Sequence, residues 1–188
     1  MAQLVFKQFP KRAAVTPTYI GHVETMRDAL LIFEGCRKGI LHPIKWRPST
    51  SDRKKHIHSG SIFVWCESEA SIRRWTDGRC WTSSRPHDNF ISYYELFNDM
   101  SSRSKQDSAD GDSRSDLNGK STSRQESTAD PGGLTKRSLS LKTRDGRVLH
   151  LVGYFTAADL AAGKLRRPTD DPQLSSIDVD TQLYTSTS

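Results

Sequence analysis

The chain has 188 residues, of which 34% are hydrophobic, and a formal net charge of +6. That length is enough for one domain with a buried core, but the low apolar fraction implies that part of the chain stays polar and unpacked. No apolar run approaches the roughly 20 residues that cross a bilayer. Three cysteines without a Cys-x-x-Cys pair favour a reducing compartment. We therefore expect a soluble intracellular protein with no membrane partner.

Positive charge is concentrated in the first half of the chain. Residues 1–98 carry 15 Lys and Arg against 9 Asp and Glu, a net charge of +6. Residues 99–133 carry 5 against 7, a net −2, and residues 134–188 carry 8 against 6, a net +2. A basic folded segment favours a polyanionic partner because binding releases counterions, although a solvated basic surface explains the distribution equally well.

The first elements of the chain predict a short lead-in followed by a helix. Residues 1–15 are mixed in character and read as a flexible lead-in, and residues 16–21 are extended because their proline disfavours helix before it. Thr25 and Asp28 have the spacing of a capping box, and apolar residues then recur at helical spacing. This pattern predicts a helix over residues 26–38.

Two apolar runs further along predict buried strands, at residues 61–66 and 90–96. Residues 49–59 are polar and basic and predict a loop. His56 and His58 in that loop have a spacing that metals can use, but no further ligand cluster lies near them, so no metal site is expected.

Between the two strands lies the most unusual stretch, residues 71–85, which we call the Arg-Trp loop. It contains four arginines, two tryptophans and five hydroxyl side chains, and its Thr-Asp-Gly run predicts a turn. Guanidinium groups pair with phosphates and base edges, and hydroxyl groups are common phosphate contacts. On its own, this loop predicts either a nucleic-acid-binding surface or a kinase target.

After the second strand the composition changes and then recovers. Residues 99–133 contain nine serines and almost no large apolar residue, so they are expected to form a disordered linker. An Asp-Gly turn then joins two predicted strands, residues 138–143 and 147–155, in a hairpin. A short helix is expected over residues 157–162, and residues 173–188 read as a polar tail.

A single hairpin and one short helix bury too little apolar surface to fold alone, so the later segment is expected to dock on the earlier one. The predicted fold class is α+β. We expect a single globular domain built from two chain segments, residues 16–98 and 134–172. Its sheet is expected to be mainly antiparallel or mixed, with short flanking helices.

Several runs match a known family. In the first segment they are Thr16-Pro17-Thr18-Tyr19-Ile20-Gly21, Asp28-Ala29-Leu30, Ser59-Gly60-Ser61-Ile62-Phe63-Val64, and Arg73-Arg74-Trp75-Thr76-Asp77-Gly78 with Trp81, Ser83, Arg85 and Asn89-Phe90. In the second segment they are His150-Leu151, Val152 to Phe155, Asp159-Leu160, Gly163-Lys164-Leu165 and Asp171-Pro172. Through these runs the chain resembles the WOPR-domain (Gti/Pac) regulators of fungal morphology and gene expression.

This resemblance implies a nuclear transcriptional regulator in which two boxes, joined by a variable linker, form one sequence-specific binding unit for double-stranded DNA. The implied site is A·T-rich, which suits arginine or lysine entering a narrow minor groove. No cofactor and no small-molecule substrate are implied. The sequence departs from the family at residues 82–85, where the usual proline is missing.

The residues expected to contact DNA are basic or hydroxyl-bearing. They are Arg47, Arg53, Lys54, Arg73, Arg74, Thr76, Arg79, Ser83 and Arg85. Trp75 and Trp81 are expected to anchor the loop rather than to stack on bases, because tryptophan is usually largely buried.

Three alternatives remain open. Arg73 and Arg74 precede Thr76 at the spacing that basophilic kinases prefer, which predicts a phosphorylation-controlled interaction module, although Thr76 could simply cap the turn. Binding of RNA shares the charge and aromatic features. An enzyme is not expected, because the six histidines are not accompanied by a nucleophile elbow, a phosphate-cradling glycine loop or metal-ligand spacing.

Overall fold

The computed structural model describes residues 13–97 and 129–186. Residues 1–12 of the predicted lead-in and residues 99–128 of the predicted linker lie outside this description. The strands are β1 (Tyr19–Ile20), β2 (Ser61–Cys66), β3 (Arg85–His87), β4 (Phe90–Tyr94), β5 (Thr135–Thr143), β6 (Val148–Phe155) and β7 (Tyr184–Ser186). The helices are α1 (Met26–Arg37), α2 (Thr50–His56), α3 (Glu67–Ala70), α4 (Ala157–Ala161) and α5 (Pro172–Ser175), with 3-10 turns at Pro168–Asp170 and Thr181–Leu183.

All seven strands form one antiparallel sheet in the order β1-β2-β6-β5-β4-β3, with β7 also paired to β5. The β5–β6 hairpin of the second segment is inserted between β2 and β4 of the first. Pairing of β2 with β6 runs from Ile62 opposite Gly153 to Cys66 opposite Leu149. The two chain segments therefore build one α+β domain, as predicted, because the sheet is continuous only when the strands of both segments are paired.

Strand β2 is buried along its whole length because both faces of the sheet are covered. Ile62 and Val64 pack on one face with α1 and the C-terminal residues, and Phe63 and Trp65 pack on the other with Tyr154. A strand buried on both faces reads as a continuous apolar run rather than an alternating one. This is why its bounds could be predicted to the residue.

Helix α1 begins at the predicted capping box, in which the Thr25 side chain and the Asp28 backbone and side chain bond reciprocally. Asp28 is fully buried and also accepts hydrogen bonds from the Arg167 guanidinium, at 3.0 and 3.2 Å, and from Thr169. The start of α1 thus ties the second segment to the first. No helix within the described ranges is long and apolar enough to span a membrane.

Two predictions about local structure were wrong. Residues 49–59, expected to be a loop, contain α2, whose capping box joins Ser49 to Asp52. The signal for it, Ser-x-x-Asp, is visible in the sequence. The supposed polar tail contributes Leu174 and Ile177 to the core and pairs β7 with β5, and its Val179 and Tyr184 pack against the same core cluster.

The edges of the lead-in and the linker also needed correction. Val15, assigned to the lead-in, is 4% exposed and belongs to the core beside Phe63 and Trp65. At the other end, Ala129 pairs with Leu96 as an isolated β-bridge, although it was assigned to the linker. The second ordered segment therefore includes residues before 134.

Candidate nucleic-acid interface

The Arg-Trp loop leaves the sheet at the end of β2 and returns to it at β3. A single turn of helix, α3, follows β2, and Ser71 then adopts the left-handed conformation, with φ of 54°. Ile72 is buried, and its carbonyl accepts a 2.7 Å hydrogen bond from the Trp65 indole. The entry to the loop is therefore fixed by the core.

Asp77 lies at the centre of the loop and is 8% exposed. Its carboxylate accepts hydrogen bonds from the Trp81 indole at 3.0 and 3.1 Å, from the Tyr154 hydroxyl at 2.8 Å and from the Lys136 ammonium at 3.1 Å. It also accepts the Arg79 backbone N–H at 3.1 Å, which forms the turn that the Asp-Gly pair predicted. We call the Asp77, Lys136 and Tyr154 group the Asp77 cluster.

The Asp77 cluster joins groups from both chain segments in one buried ionic site. Burial raises the pKa of Asp77, but the Trp81 hydrogen bond and the Lys136 charge outweigh it and hold that pKa below its usual value. Burial lowers the pKa of Lys136 and raises that of Tyr154. Because its pKa is below the usual value, the carboxylate stays ionised at neutral pH. Removing its partners would leave a buried charge uncompensated.

Both tryptophans of the loop contact this cluster. The Trp75 indole donates a 2.5 Å hydrogen bond to the Tyr154 hydroxyl, and its ring lies 5.1 Å from that of Trp65 and 5.2 Å from that of Phe63. The Lys136 ammonium lies 4.3 Å from the centre of the Trp81 ring. These contacts are those of anchoring side chains, and they restrict where the neighbouring arginines can point.

The arginines of the loop have different surroundings. Arg73 is 86% exposed, with only a 3.5 Å approach of its Nε to Glu67, and Arg74 is also exposed. Arg85 begins β3 and lies 5.5 Å above the Tyr94 ring. By contrast, Arg79 forms a 2.5 Å ion pair with Glu95 and donates to the Ile57 carbonyl. Arg73, Arg74 and Arg85 therefore present the accessible positive charge.

Two arginines outside the loop contact its turn. Arg47 donates from Nη1 to the Arg74 carbonyl and to the Thr76 hydroxyl, both at 2.9 Å. Arg53, on α2, donates to the Thr76 carbonyl at 3.3 Å. Thr76 itself is exposed, and its hydroxyl accepts a hydrogen bond from the Arg47 guanidinium. Lys54 and Ser83 are exposed as well.

Sequence reasoning missed Lys136 and Tyr154 as partners of the loop. Both come from the second segment, 59 and 77 residues from Asp77. Lys136 lies before the predicted strand of residues 138–143, and Tyr154 lies within the predicted strand of residues 147–155. No local pattern identifies such partners, because the contact depends on insertion of the β5–β6 hairpin beside β2.

Comparison with known proteins now identifies the family of this domain. A model of the Gti1/Pac2 family matches residues 18–132. The chain is 34% identical to the cAMP-independent regulatory protein pac2 of Schizosaccharomyces pombe, over 89% of this chain and 81% of that protein. It is 33% identical to the global transcription regulator sge1 of Gibberella fujikuroi, over 89% of this chain and 60% of that protein. The chain belongs to the Gti1/Pac2 family.

Solved structures give the same result at the level of the fold. The WOPR domain of Wor1 from Candida albicans, in complex with 13-base-pair double-stranded DNA, is similar with a TM-score of 0.68 and 27% identity, over 90% of this chain and 94% of that one. A structure described as a fungal protein has a TM-score of 0.73 and 28% identity, over 91% of both chains. This likeness confirms the predicted fold class and the resemblance read from the sequence.

Proposed function

We propose that this chain binds double-stranded DNA sequence-specifically and regulates transcription in the nucleus. The observation that carries the proposal is the fixed Arg-Trp loop, in which the buried Asp77 cluster restrains a turn that carries exposed arginines. Restraining a charged loop before binding lowers the entropy lost on binding. The DNA-bound Wor1 domain and the relatives named as transcription regulators support the same function.

The proposed contacts divide into two groups by their surroundings. Arg73, Arg74 and Arg85 are exposed and are proposed to contact phosphates and base edges, with Lys54 and Ser83 on phosphates. The remaining members of the predicted contact set are also engaged within the protein. They are Arg47, Arg53, Thr76 and Arg79, and we propose that they hold the loop while adding to its positive potential.

An A·T-rich site suits this arrangement. The minor groove of A·T-rich DNA is narrow and strongly negative, so arginine side chains that enter it gain electrostatic energy without reading individual bases. Two adjacent exposed arginines, Arg73 and Arg74, on a loop fixed by flanking anchors have the form such a contact needs. Both relatives are named as regulators, sge1 as a regulator of transcription, and neither is named as an enzyme, which favours DNA binding over the enzyme alternative.

Selection of bound sequences from random duplex DNA, with the whole chain, tests the proposal. Affinity for the selected site should then fall steeply with salt, because phosphate contacts release counterions. Arg74→Ala should cost about 1–3 kcal/mol and relax preference at one position if it reads a base. Arg166→Ala, an exposed arginine in another part of the domain, is the matched control and should keep full affinity.

Enrichment of no sequence, or an affinity that does not change with salt, would contradict the proposal. A uniform loss on Arg74→Ala, together with a salt slope smaller by about 1, would instead assign this arginine to a phosphate. Preference for single-stranded RNA over duplex DNA would favour the RNA alternative.

A second candidate is control by a basophilic kinase at Thr76. The exposed hydroxyl of Thr76 lies 2.9 Å from the Arg47 guanidinium, so an added phosphate of about −2 charge would meet arginines that DNA also needs. Thr76→Glu should then weaken DNA binding more than Thr82→Glu, the same change at the other threonine of the loop, which is half-buried. Equal effects of the two changes would remove the support for this regulation.

A further inference from the structure

A partly open cavity of about 410 Å³ lies beside the core, and none of Asp77, Lys136 and Tyr154 lines it. It is bordered by the last turn of α1, the second half of β2, the β5–β6 turn and the C-terminal residues. Its apolar wall is formed by Phe33, Cys36, Val64, Leu149 and Leu183. The volume falls within the range of about 300–1,000 Å³ that small-molecule sites occupy.

Part of the cavity wall belongs to the buried core. Phe33 and Val64 are each 2% exposed, and Phe33 also stacks on Tyr184 with ring centres 6.3 Å apart. A partly open, largely apolar cleft of this size has the character of a small-molecule binding site.

The thiol in the wall contributes apolar surface rather than reactivity. Burial raises the pKa of Cys36 to about 12, so the group stays protonated at neutral pH. A protonated, buried thiol behaves as a small apolar side chain. The inner part of the cavity thus favours a ring or a hydrocarbon chain.

The mouth of the cavity is charged, with three arginines against two carboxylates among the lining residues. Arg37 is bound by the buried Glu34 at 2.7 Å, and Arg147 is bound by Asp145 at 2.8 Å and approached by Glu69 at 3.9 Å. Within residues 13–97 and 129–186, Arg144 is the lining arginine for which no carboxylate lies within ion-pair distance. An anionic group would complete this pairing.

We propose that the cavity binds a small organic acid with an apolar ring or chain. The apolar body lies between α1 and β2, and the acid group lies at the mouth, where the Arg144 guanidinium donates to it. Arg–carboxylate pairs are strong and directional, so the acid should be preferred over neutral and cationic molecules of the same shape. The test of this proposal does not involve DNA. The β5–β6 turn that lines the cavity, through Asp145 and Arg147, also borders a groove lined by Arg73 and Arg74.

Three probes of matched shape test the proposal with the whole chain: 2-naphthoate, 2-naphthylmethanol and 2-naphthylmethylamine. Ligand-observed saturation-transfer NMR detects binding, and titration calorimetry gives the dissociation constants. The acid should bind about tenfold more tightly than the alcohol, which corresponds to one charge-assisted hydrogen bond, and more tightly still than the amine. Arg144→Gln should remove this preference, whereas Arg166→Gln should keep it.

Filling the cavity provides the second arm. Cys36→Trp should weaken binding of 2-naphthoate by at least about tenfold, because the indole would occupy the space of the ring. Cys80→Trp introduces the same side chain at an exposed cysteine outside the cavity and should leave binding unchanged. Leu183→Trp, at a half-buried position of the wall, repeats the test if thermal unfolding shows that Cys36→Trp has lost its fold.

The proposal is overturned if none of the probes binds saturably, or if all three bind equally well. Binding of the acid that survives both cavity-filling changes would place it elsewhere and would overturn the proposal too. Preference for the acid that persists in Arg144→Gln would remove the assigned partner and with it the proposed recognition.

Discussion

The hydroxyl of Tyr154 donates a 2.8 Å hydrogen bond to the carboxylate of Asp77, which lies 77 residues earlier in the chain. The same hydroxyl accepts the Trp75 indole N–H at 2.5 Å. One oxygen atom in a central strand therefore holds both the turn and an anchor of the Arg-Trp loop. Positions of exposed arginines at the surface depend in this way on a buried side chain of the other segment.

Removal of that oxygen should loosen the loop. Tyr154→Phe leaves the Trp75 indole without its acceptor and Asp77 with one donor fewer, so we expect a loss of about 1–3 kcal/mol in the free energy of unfolding. Urea denaturation followed by circular dichroism measures it. Tyr94→Phe, the same change at an exposed tyrosine, should stay within about 0.5 kcal/mol of the native protein. Equal stability of the two variants would contradict the role assigned to Tyr154.

A methyl group at Gly21 should weaken docking of the second segment. A Cβ there would lie 2.2 Å from the Arg166 carbonyl oxygen and 2.6 Å from a ring carbon of Tyr19. That carbonyl also accepts the His22 N–H at 2.9 Å. Gly21→Ala should therefore destabilise the domain by about 1–3 kcal/mol, as overpacking usually does.

The control for this change is Gly132→Ala, where the nearest atom would be 3.7 Å from the new Cβ. Urea denaturation compares the two variants directly. If Gly21→Ala proved as stable as Gly132→Ala, the close approach of the two segments at Gly21 would be wrong.

The stability of the domain should fall between pH 6.5 and pH 4 because of His22. This residue is 7% exposed and packs edge-on against Phe155, and burial together with Arg137 lowers its pKa from 6.5 to about 4. Below pH 6.5 the unfolded chain takes up a proton that the folded protein accepts only near pH 4. Stability is therefore lost across this window as pH falls, by up to about 3 kcal/mol.

His22→Leu should reduce this dependence, whereas His42→Leu, at an exposed histidine, should leave it unchanged. The free energies of unfolding at pH 7 and pH 4.5 provide the measurement. Carboxylates with lowered pKa, such as Asp28 and Asp77, contribute a separate loss at lower pH, since their stabilisation disappears as pH falls through their folded-state values. A slope that is identical in both histidine variants would exclude His22 as its source.

The C-terminal residues should contribute to stability through Tyr184. Its hydroxyl donates a hydrogen bond to Glu34, which is fully buried in α1 and also bound by Arg37. Tyr184→Phe removes one donor from a buried carboxylate and should cost about 1.5–3 kcal/mol. Thermal or urea unfolding measures the change, and Tyr94→Phe again serves as the exposed control. An unchanged stability would mean that Arg37 alone satisfies Glu34.

The elements with strong local signals could be predicted from the sequence. Helix α1 followed from a capping box and a periodic apolar face, and β2 from an apolar run bounded by a glycine and by charged residues. The β5–β6 hairpin followed from its Asp-Gly turn, although β5 begins earlier than predicted, at Thr135. Helix α2 and strand β7 were missed. Helix α2 buries no residue, and the short β7 depends on a partner strand far away in the chain.

The candidate site divides in the same way. Its arginines and tryptophans were visible in the sequence because they are clustered within residues 71–85, and composition alone marks such a cluster. Which arginines are accessible was not visible. Arg79 is neutralised by Glu95, and Arg47 and Arg53 bind the turn. Local sequence could not show this, because each guanidinium contacts a group at least 16 positions away.

By itself, the sequence determined the two ordered segments, the position of the loop between two strands and the family to which the chain belongs. These properties rest on local composition, periodicity and motif spacing. Only the tertiary structure decided that Asp77, Lys136 and Tyr154 meet in one buried cluster. A charge is stable there only when both segments are assembled, because Asp77 alone cannot compensate for the loss of its hydration. The conformation of the Arg-Trp loop therefore depends on assembly of the whole domain.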